Sequence, residues 1–216
     1  GAVANEARQR NDRLRSSVNL GGNAIVEDLT MLAGDAVRKV AVVGGNRIPF
    51  ARSNTVYFGA SNQDMLTAAL NGLVDRFKLQ GERVGEVAAG AVMKHSRDFN
   101  LVRESVLGSR LAPETPAYDL QQACGTGLEA AILVANKIAL GQIDSAIAGG
   151  VDTTSDAPLG VNEDARKVFM NINKAKTNGE KIKAALKLLN PKMIVPDIPR
   201  NAEPRTGLSM GEYQAI

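Results

Sequence analysis

Chemistry in this chain has few residues to draw on. Its 216 residues include one Cys, one His and no Trp, against 21 Gly. The thiol lies in the run Asp119-Leu120-Gln121-Gln122-Ala123-Cys124-Gly125-Thr126-Gly127-Leu128. A short β-type segment precedes it and a long apolar helical segment follows. At a strand-to-helix junction, unpaired backbone N–H groups and the positive end of the helix dipole favour the thiolate, and the same N–H groups can stabilise an oxyanion. Gly125 and Gly127 remove side chains where a substrate carbonyl would approach, and Thr126 can satisfy the helix terminus. Position alone favours a structural thiol, because free Cys is commonly a small core hydrophobe; the glycines narrow that preference. With one Cys, a disulfide within the chain is impossible. With one His besides, the sequence argues against an all-protein zinc site. A lone thiol fits a reducing cytosol, so a cytoplasmic location is expected.

Two other places invite chemistry and give it less support. His95 stands beside Lys94 and Arg97 after an expected strand, and reads as a loop or interface residue rather than a catalyst. Gly44-Gly45-Asn46-Arg47 has neither the Gly-Lys-Ser/Thr ending of a phosphate loop nor the GxGxxG spacing. It reads as a strand-end turn.

The elements that must position Cys124 follow from hydrophobic periodicity. Lys39–Val43, Glu86–Met93, Ala117–Gln121 and Ile143–Ala148 are short apolar runs, the pattern of strands buried on both faces. Between them, Ser61 and Asp64 form a capping-box pattern ahead of an apolar stripe through Met65, Leu66, Ala69, Leu70, Leu73, Val74 and Phe77. A short helix over about 100–109 turns Leu101, Val102, Ser105 and Val106 to one side. Leu128–Leu140 is apolar almost all round, which predicts a helix covered on most sides, with a second sheet beyond it. Gly141 is placed to cap it. The order βαβαβαβ predicts an α/β fold with a mainly parallel sheet and right-handed crossovers. Residues 1–38 read as an N-terminal extension, 39–160 as the core domain and 161–216 as a second, basic, Pro-punctuated unit.

Charge is uneven. The formal net charge is +3, but residues 165–192 carry eight Lys and Arg against Glu180 alone, a net +7 that leaves the remainder at −4. That balance, with aromatics at 4%, does not support a general nucleic-acid-binding surface. No apolar run approaches the ~18 residues of a membrane span. The Lys-rich stripe reads first as a solvated helix face. Its alternatives are a site for the phosphates of a nucleotide and an amphipathic hairpin, through Val168, Phe169, Ile172, Ile182, Ala185, Leu186 and Leu189, making peripheral contact with a membrane or partner subunit.

Four ordered motifs carry a family resemblance. Cys124-Gly125-Thr126-Gly127-Leu128-Glu129-Ala130 resembles the nucleophile motif of the thiolase family, and Arg47-Ile48-Pro49 resembles the turn after its first strand. Ala148-Gly149-Gly150-Val151-Asp152-Thr153-Thr154-Ser155-Asp156-Ala157-Pro158 resembles the Gly-Gly-x-Glu-x-Met-Ser-x-Ala-Pro stretch after its fourth strand. Met210-Gly211 resembles the Met-Gly of its loop domain. The chain departs from the pattern at Gln121, where many thiolases have Asn, at Asp152 and Thr154, where Glu and Met are common, and at Ser209, where short-chain members have His. The set is most similar to the fatty-acid-oxidation branch related to the trifunctional-enzyme β subunit.

This resemblance implies a thiolase-like fold, the first half of a duplicated αβαβα layered arrangement, with residues 161–216 beginning the loop domain that binds coenzyme A. It implies thiolytic cleavage of a β-ketoacyl-CoA, or the reverse Claisen condensation, through an acyl-cysteine intermediate at Cys124. Gly125 and Met210 would bind substrate. Coenzyme A enters as a substrate; no cofactor and no metal are expected. The family's Gly-His-Pro motif, second Cys and Asn-Glu-Ala-Phe motif have no counterpart here, so the 216-residue chain is expected to be a fragment, inactive by itself. Assembly as a homodimer or tetramer is expected, with a β-oxidation partner subunit as a further candidate. A non-catalytic acyl-CoA-binding or assembly subunit is the alternative from another class. A ketoacyl synthase is disfavoured, because that family usually reads Ala-Cys-Ser-Ser.

Overall fold

A short strand and two helices prepare the position of the thiol. The computed structural model describes residues 37–193, 195–198, 200 and 202–215. Helix α1 spans Asn62–Phe77; Ser61 Oγ accepts from the Asp64 N–H and the Asp64 carboxylate accepts from the Ser61 N–H at 3.0 Å. The expected capping box therefore forms, and the Ser61 hydroxyl and amide hold the Asp64 carboxyl below its usual range. The helix ends at Lys78, in the left-handed region with φ 56°. Met65, Leu66, Leu70 and Val74 are its buried apolar face.

Strand β1 is Glu86–Ala89, β2 is Ala117–Asp119 and β3 is Ala146–Ala148. They form a three-stranded parallel sheet in the order β2-β1-β3, with Val87 opposite Ala117 and Ile147. Helix α2, Leu101–Leu107, buries Leu101, Val102, Ser105 and Val106, the four residues its spacing selects. Helices α1 and α2 pack on each other, and α2 packs on β1 and β2. One core unites Leu66, Leu70 and Val74 with Val87, Leu101, Val102 and Val106. Helix α3, Thr126–Ala139, packs on β1 and β3, where Ala88, Ala130 and Val134 form a smaller cluster.

Two expectations need correction. The run Lys39–Val43 forms no strand, and Val42 is 95% exposed. β-branched residues form strands only where a ladder partner exists. The turn that follows it is tied to α1: Arg76 donates to the Gly45 carbonyl at 2.8 Å, and Asn46 Nδ2 donates to the Ala69 carbonyl at 2.9 Å. The other three strands are also shorter than their apolar runs. Just past β1 the chains run very close together, since a Cβ on Gly90 would lie 1.9 Å from the Leu120 carbonyl oxygen.

The second correction concerns α3. Only Thr126, Ala130 and Val134 are buried on it, while Leu128 is 71% exposed. Its composition correctly marks a helix with two apolar faces. Among the described residues, however, no second sheet covers the outer one. Gly141 does terminate it as expected, at φ 71°, with its N–H bonded to the Ile138 carbonyl at 3.0 Å.

After Gly160 come α4 (Glu163–Lys174), α5 (Asn178–Ala185), 3₁₀ turns at Leu186–Leu189 and Pro191–Met193, and α6 (Met210–Gln214). Asn162 caps α4, and Thr177 with Glu180 and Ser209 with Glu212 make capping boxes on α5 and α6. The basic segment is thus helical as expected, with Phe169, Ile182, Leu186 and Leu189 among its exposed apolar residues. The expected N-terminal extension, 1–38, lies outside the described residues except for its last two. Arg38 joins the end of α3, its N–H on the Ala139 carbonyl at 2.9 Å and its guanidinium on Asp144.

Candidate active site

Strand β2 ends at Asp119, and residues 120–125 return the chain into α3. The Leu120 N–H still bonds to the Ala89 carbonyl at 2.9 Å; beyond it the chain leaves the sheet. The Gln122 carbonyl accepts from Gly125 N–H at 2.9 Å and the Ala123 carbonyl from Thr126 N–H at 3.2 Å, closing a tight turn around Cys124. The Thr126 hydroxyl locks it: Oγ1 accepts from Gln122 N–H at 2.9 Å and donates to the Ala123 carbonyl at 2.7 Å. Within this turn Ala123 has φ 44°, a left-handed conformation that costs a non-glycine residue about 1–2 kcal/mol.

Cys124 is exposed. The buried structural thiol that position alone favours is therefore not what the fold contains. Gly125 is the residue before α3, and among the described residues neither Cys124 nor Gly127 N–H has a backbone acceptor. The turn thus offers an accessible sulfur beside open N–H donors at a helix start, the arrangement in which a developing negative charge is stabilised.

Two glycines also set the packing behind the turn. A Cβ on Gly150 would lie 3.2 Å from the Gly90 carbonyl oxygen, and one on Gly127 would lie 3.9 Å from Gly149. They allow the exits of β1 and β3 to approach the first turn of α3. At the other end of α3, Lys137 donates to both oxygens of the mostly buried Glu86 at 2.8 and 2.6 Å and lies 5.0 Å from the Tyr118 ring centroid. The Glu86 carboxylate raises the Lys137 pKa, and burial raises that of Tyr118.

Sequence reasoning misses three contributors. Asp152 accepts from Val92 N–H at 2.7 Å and Met93 N–H at 3.0 Å, one oxygen for each. Gln121 Nε2 donates to the Val92 carbonyl at 3.1 Å. Ala123 carries the positive φ. A carboxylate two residues after a Gly-Gly strand exit is a signal that could have singled out Asp152; an alanine gives no sign of a left-handed backbone.

His95 is not drawn to the thiol. Its Nε2 lies 3.0 Å from the Asp156 carbonyl oxygen and 3.2 Å from Asp156 Oδ1, and Arg97 pairs with the other carboxylate oxygen. It links two loops, in keeping with the sequence reading. Met210 opens α6 and is 71% exposed; no hydrogen bond or β-bridge joins it to the Cys124 turn among the described residues. A cavity of about 460 Å³ between residues 46–53, α1 and residues 150–155 is lined by Arg47, Arg52, Tyr57 and Asp152 among others, and by none of Cys124, Gly125 or Met210. Among the described residues no cluster of three His, Cys, Asp or Glu side chains could hold a metal, and no helix is long and apolar enough to cross a membrane.

Comparison with known proteins decides the family. The family described as "Thiolase, N-terminal domain" matches residues 40–194. The chain belongs to the thiolase family. The 3-ketoacyl-CoA thiolase of Shewanella halifaxensis is 36% identical over 174 residues, which are 81% of this chain and 40% of that protein. The namesake from Shewanella woodyi is 36% identical over 186 residues, 86% of this chain and 42% of that protein. The chain therefore spans about two fifths of the length of these relatives. An acetyl-CoA acetyltransferase structure from Bacillus anthracis matches 61% of this chain and 33% of its own, with a TM-score of 0.57 at 22% identity. That likeness shows the fold, a thiolase-type α/β arrangement around the parallel sheet.

Proposed function

We propose that this thiolase chain carries the nucleophile of an acyltransferase acting on β-ketoacyl-CoA, and that Cys124 is that nucleophile. The observation that carries the reading is the exposed thiol at the head of α3, on a turn whose conformation the Thr126 hydroxyl enforces. In the thiolytic direction, Cys124 Sγ bonds to the β-carbonyl carbon, the Cα–Cβ bond breaks, and acetyl-CoA leaves as an enolate that takes a proton. Coenzyme A thiol then attacks the acyl-cysteine and releases the shortened acyl-CoA. The N–H groups of Cys124 and Gly127 are the donors this reading assigns to the charge that forms on the carbonyl oxygen. Gly125 leaves room for the thioester, and Met210 lies in the segment that would contact its pantetheine arm. Coenzyme A is a substrate in this scheme. The relatives named 3-ketoacyl-CoA thiolase support the substrate class.

The proton-transfer groups would come from residues outside this sequence, because His95 is taken up by Asp156. The 216-residue chain alone is accordingly proposed to be inactive, with the core ending near Gly160 and the basic helices α4 and α5 opening a loop domain. A cytoplasmic homo-oligomer, dimer or tetramer, completes the proposal. The deciding experiment incubates the native protein that carries this chain with acetoacetyl-CoA and maps acyl adducts by mass spectrometry. An acetyl group on Cys124, absent in Cys124→Ala, is expected; acyl labelling that survives the substitution refutes it.

A second reading, an acyl-CoA-binding subunit without turnover, gains from the engagement of the one His in the sequence away from the thiol. It predicts coenzyme A binding with no adduct on Cys124.

A further inference from the structure

The strained turn at Cys124 is held from two sides, and only one of them is local. A left-handed alanine persists where its surroundings over-determine it. From the helix side, Thr126 fixes Gln122 and Ala123. From the sheet side, the restraint runs through Gln121, whose Nε2 donates to the Val92 carbonyl. That carbonyl is itself fixed. Val92 and Met93 lie past the end of β1, where no ladder bond holds them, and their N–H groups are instead divided between the two oxygens of Asp152. Asn62, at the start of α1, takes the Met93 carbonyl at 2.8 Å. Asp152 is placed by its neighbour, because the Val151 N–H bonds to the Gly90 carbonyl at 3.0 Å. The exits of all three strands are thus joined in series, β3 to β1 through Asp152 and β1 to the thiol turn through Gln121.

We infer that Asp152 and Gln121 are positioning residues for Cys124: the Asp152 carboxylate fixes the Val92-Met93 backbone, and Gln121 transmits that position to the turn presenting the thiol. The turnover consequence rests on Cys124 being the nucleophile; the geometric consequence does not. Asp152 and Gln121 are both solvent-exposed residues. Substitutions at exposed positions rarely move global stability far. A carboxylate binding two N–H groups nevertheless fixes geometry well, because both bonds are charge-assisted and share one rigid group. Their loss should therefore show in the behaviour of the thiol, not in the melting of the fold.

Alkylation is read by mass spectrometry on the peptide that contains Cys124, in the native protein that carries this chain, so that thiols elsewhere in that protein do not contribute. The experiment measures the rate of iodoacetamide reaction at Cys124 in Asp152→Asn, Gln121→Ala and Asp152→Glu, with thermal midpoints taken on the same samples. Asp152→Asn removes the charge and one acceptor; Asp152→Glu keeps both acceptor oxygens. Expected is a slowing of about fivefold or more in Asp152→Asn and Gln121→Ala, well inside the ~100-fold that a 1 Å misplacement can cost a reacting group. Asp152→Glu should restore the rate, and the midpoints should stay with the parent. In the native protein carrying the chain, the same variants should lower kcat and leave KM for the acyl-CoA unchanged. Unchanged alkylation in folded Asp152→Asn and Gln121→Ala overturns the inference, as does a slowing that tracks a lowered midpoint and is not rescued by Asp152→Glu. If Asp152→Asn does not fold, Gln121→Ala decides alone. An alkylation pattern as expected, in a protein that forms no acyl-cysteine, would sink the acyltransfer reading and leave the positioning inference standing.

Discussion

Thr126 should be the residue on which the thiol turn depends most, and replacing it separates its hydroxyl from its methyl. The side chain is 5% exposed and makes two hydrogen bonds, one accepted from Gln122 N–H and one donated to the Ala123 carbonyl. Thr126→Val keeps the shape and loses both. At about 0.5–1.5 kcal/mol net for each bond the loss is about 1–3 kcal/mol, and because Gln122 and Ala123 reach water the lower half, about 1–2 kcal/mol, is the better expectation. Thr126→Ser keeps both bonds and loses Cγ2, which packs beside Gly90; one buried methyl is worth about 0.8 kcal/mol. The valine variant should therefore be the less stable, by up to about 1 kcal/mol, which is roughly 2–4 °C in midpoint for a chain of this size. Urea unfolding followed by far-ultraviolet circular dichroism suits the comparison, since the chain has no Trp. The reasoning is refuted if Thr126→Val is as stable as the parent, or more stable than Thr126→Ser. Either result would mean that the hydroxyl does not hold Ala123 in its left-handed conformation.

Other expectations follow from the same structure. Gly90→Ala places a Cβ 1.9 Å from the Leu120 carbonyl, a backbone atom that cannot rotate away, so a loss of more than about 3 kcal/mol is expected in urea unfolding. The Arg166 guanidinium lowers the Glu163 pKa from 4.5 to about 2. The contribution of this pair to α4 should be present above pH 4.5 and fade as pH falls through about 2, with the Glu163 carboxyl resonance titrating near 2 by NMR. Lys137, raised by Glu86, has the opposite sign: its contribution is complete below the ordinary value of 10.5 and fades as pH rises past the folded value. Lys137→Met should remove this contribution and leave the alkaline loss that comes from buried Tyr118. Leu128→Lys on the open face of α3 should change the stability of this chain by less than about 0.5 kcal/mol, checked by thermal melting.

Much of the fold around the thiol can be read from residue patterns because its causes are local. The capping box of Ser61 and Asp64, the four buried residues of α2 and the helix stop at Gly141 each depend on neighbours within a few positions. What could not be read depends on partners distant in sequence. Lys39–Val43 has strand composition without a ladder to join, and α3 has two apolar faces but one sheet to cover them. The site divides in the same way. Cys124 stands out by its neighbours Gly125, Thr126 and Gly127, whereas Asp152 and Gln121 act through the backbone of Val92 and Met93, about 60 and 30 residues away in the chain. No periodicity encodes that relation. Ala123 is the extreme case, since its φ is imposed wholly by the bonds around it.

The open face of α3 also bears on how this chain should melt. The slope of denaturant unfolding and the heat-capacity change both scale with the surface newly exposed. Leu128 is already largely hydrated in the folded state and Ile132 nearly half so, and both add less to either than buried residues would. The chain should therefore unfold over a broader denaturant range than its length implies, and its stability curve should be flatter with temperature. Covering that helix on its second face would sharpen the transition by enlarging the difference between the two states, even with every existing contact left unchanged.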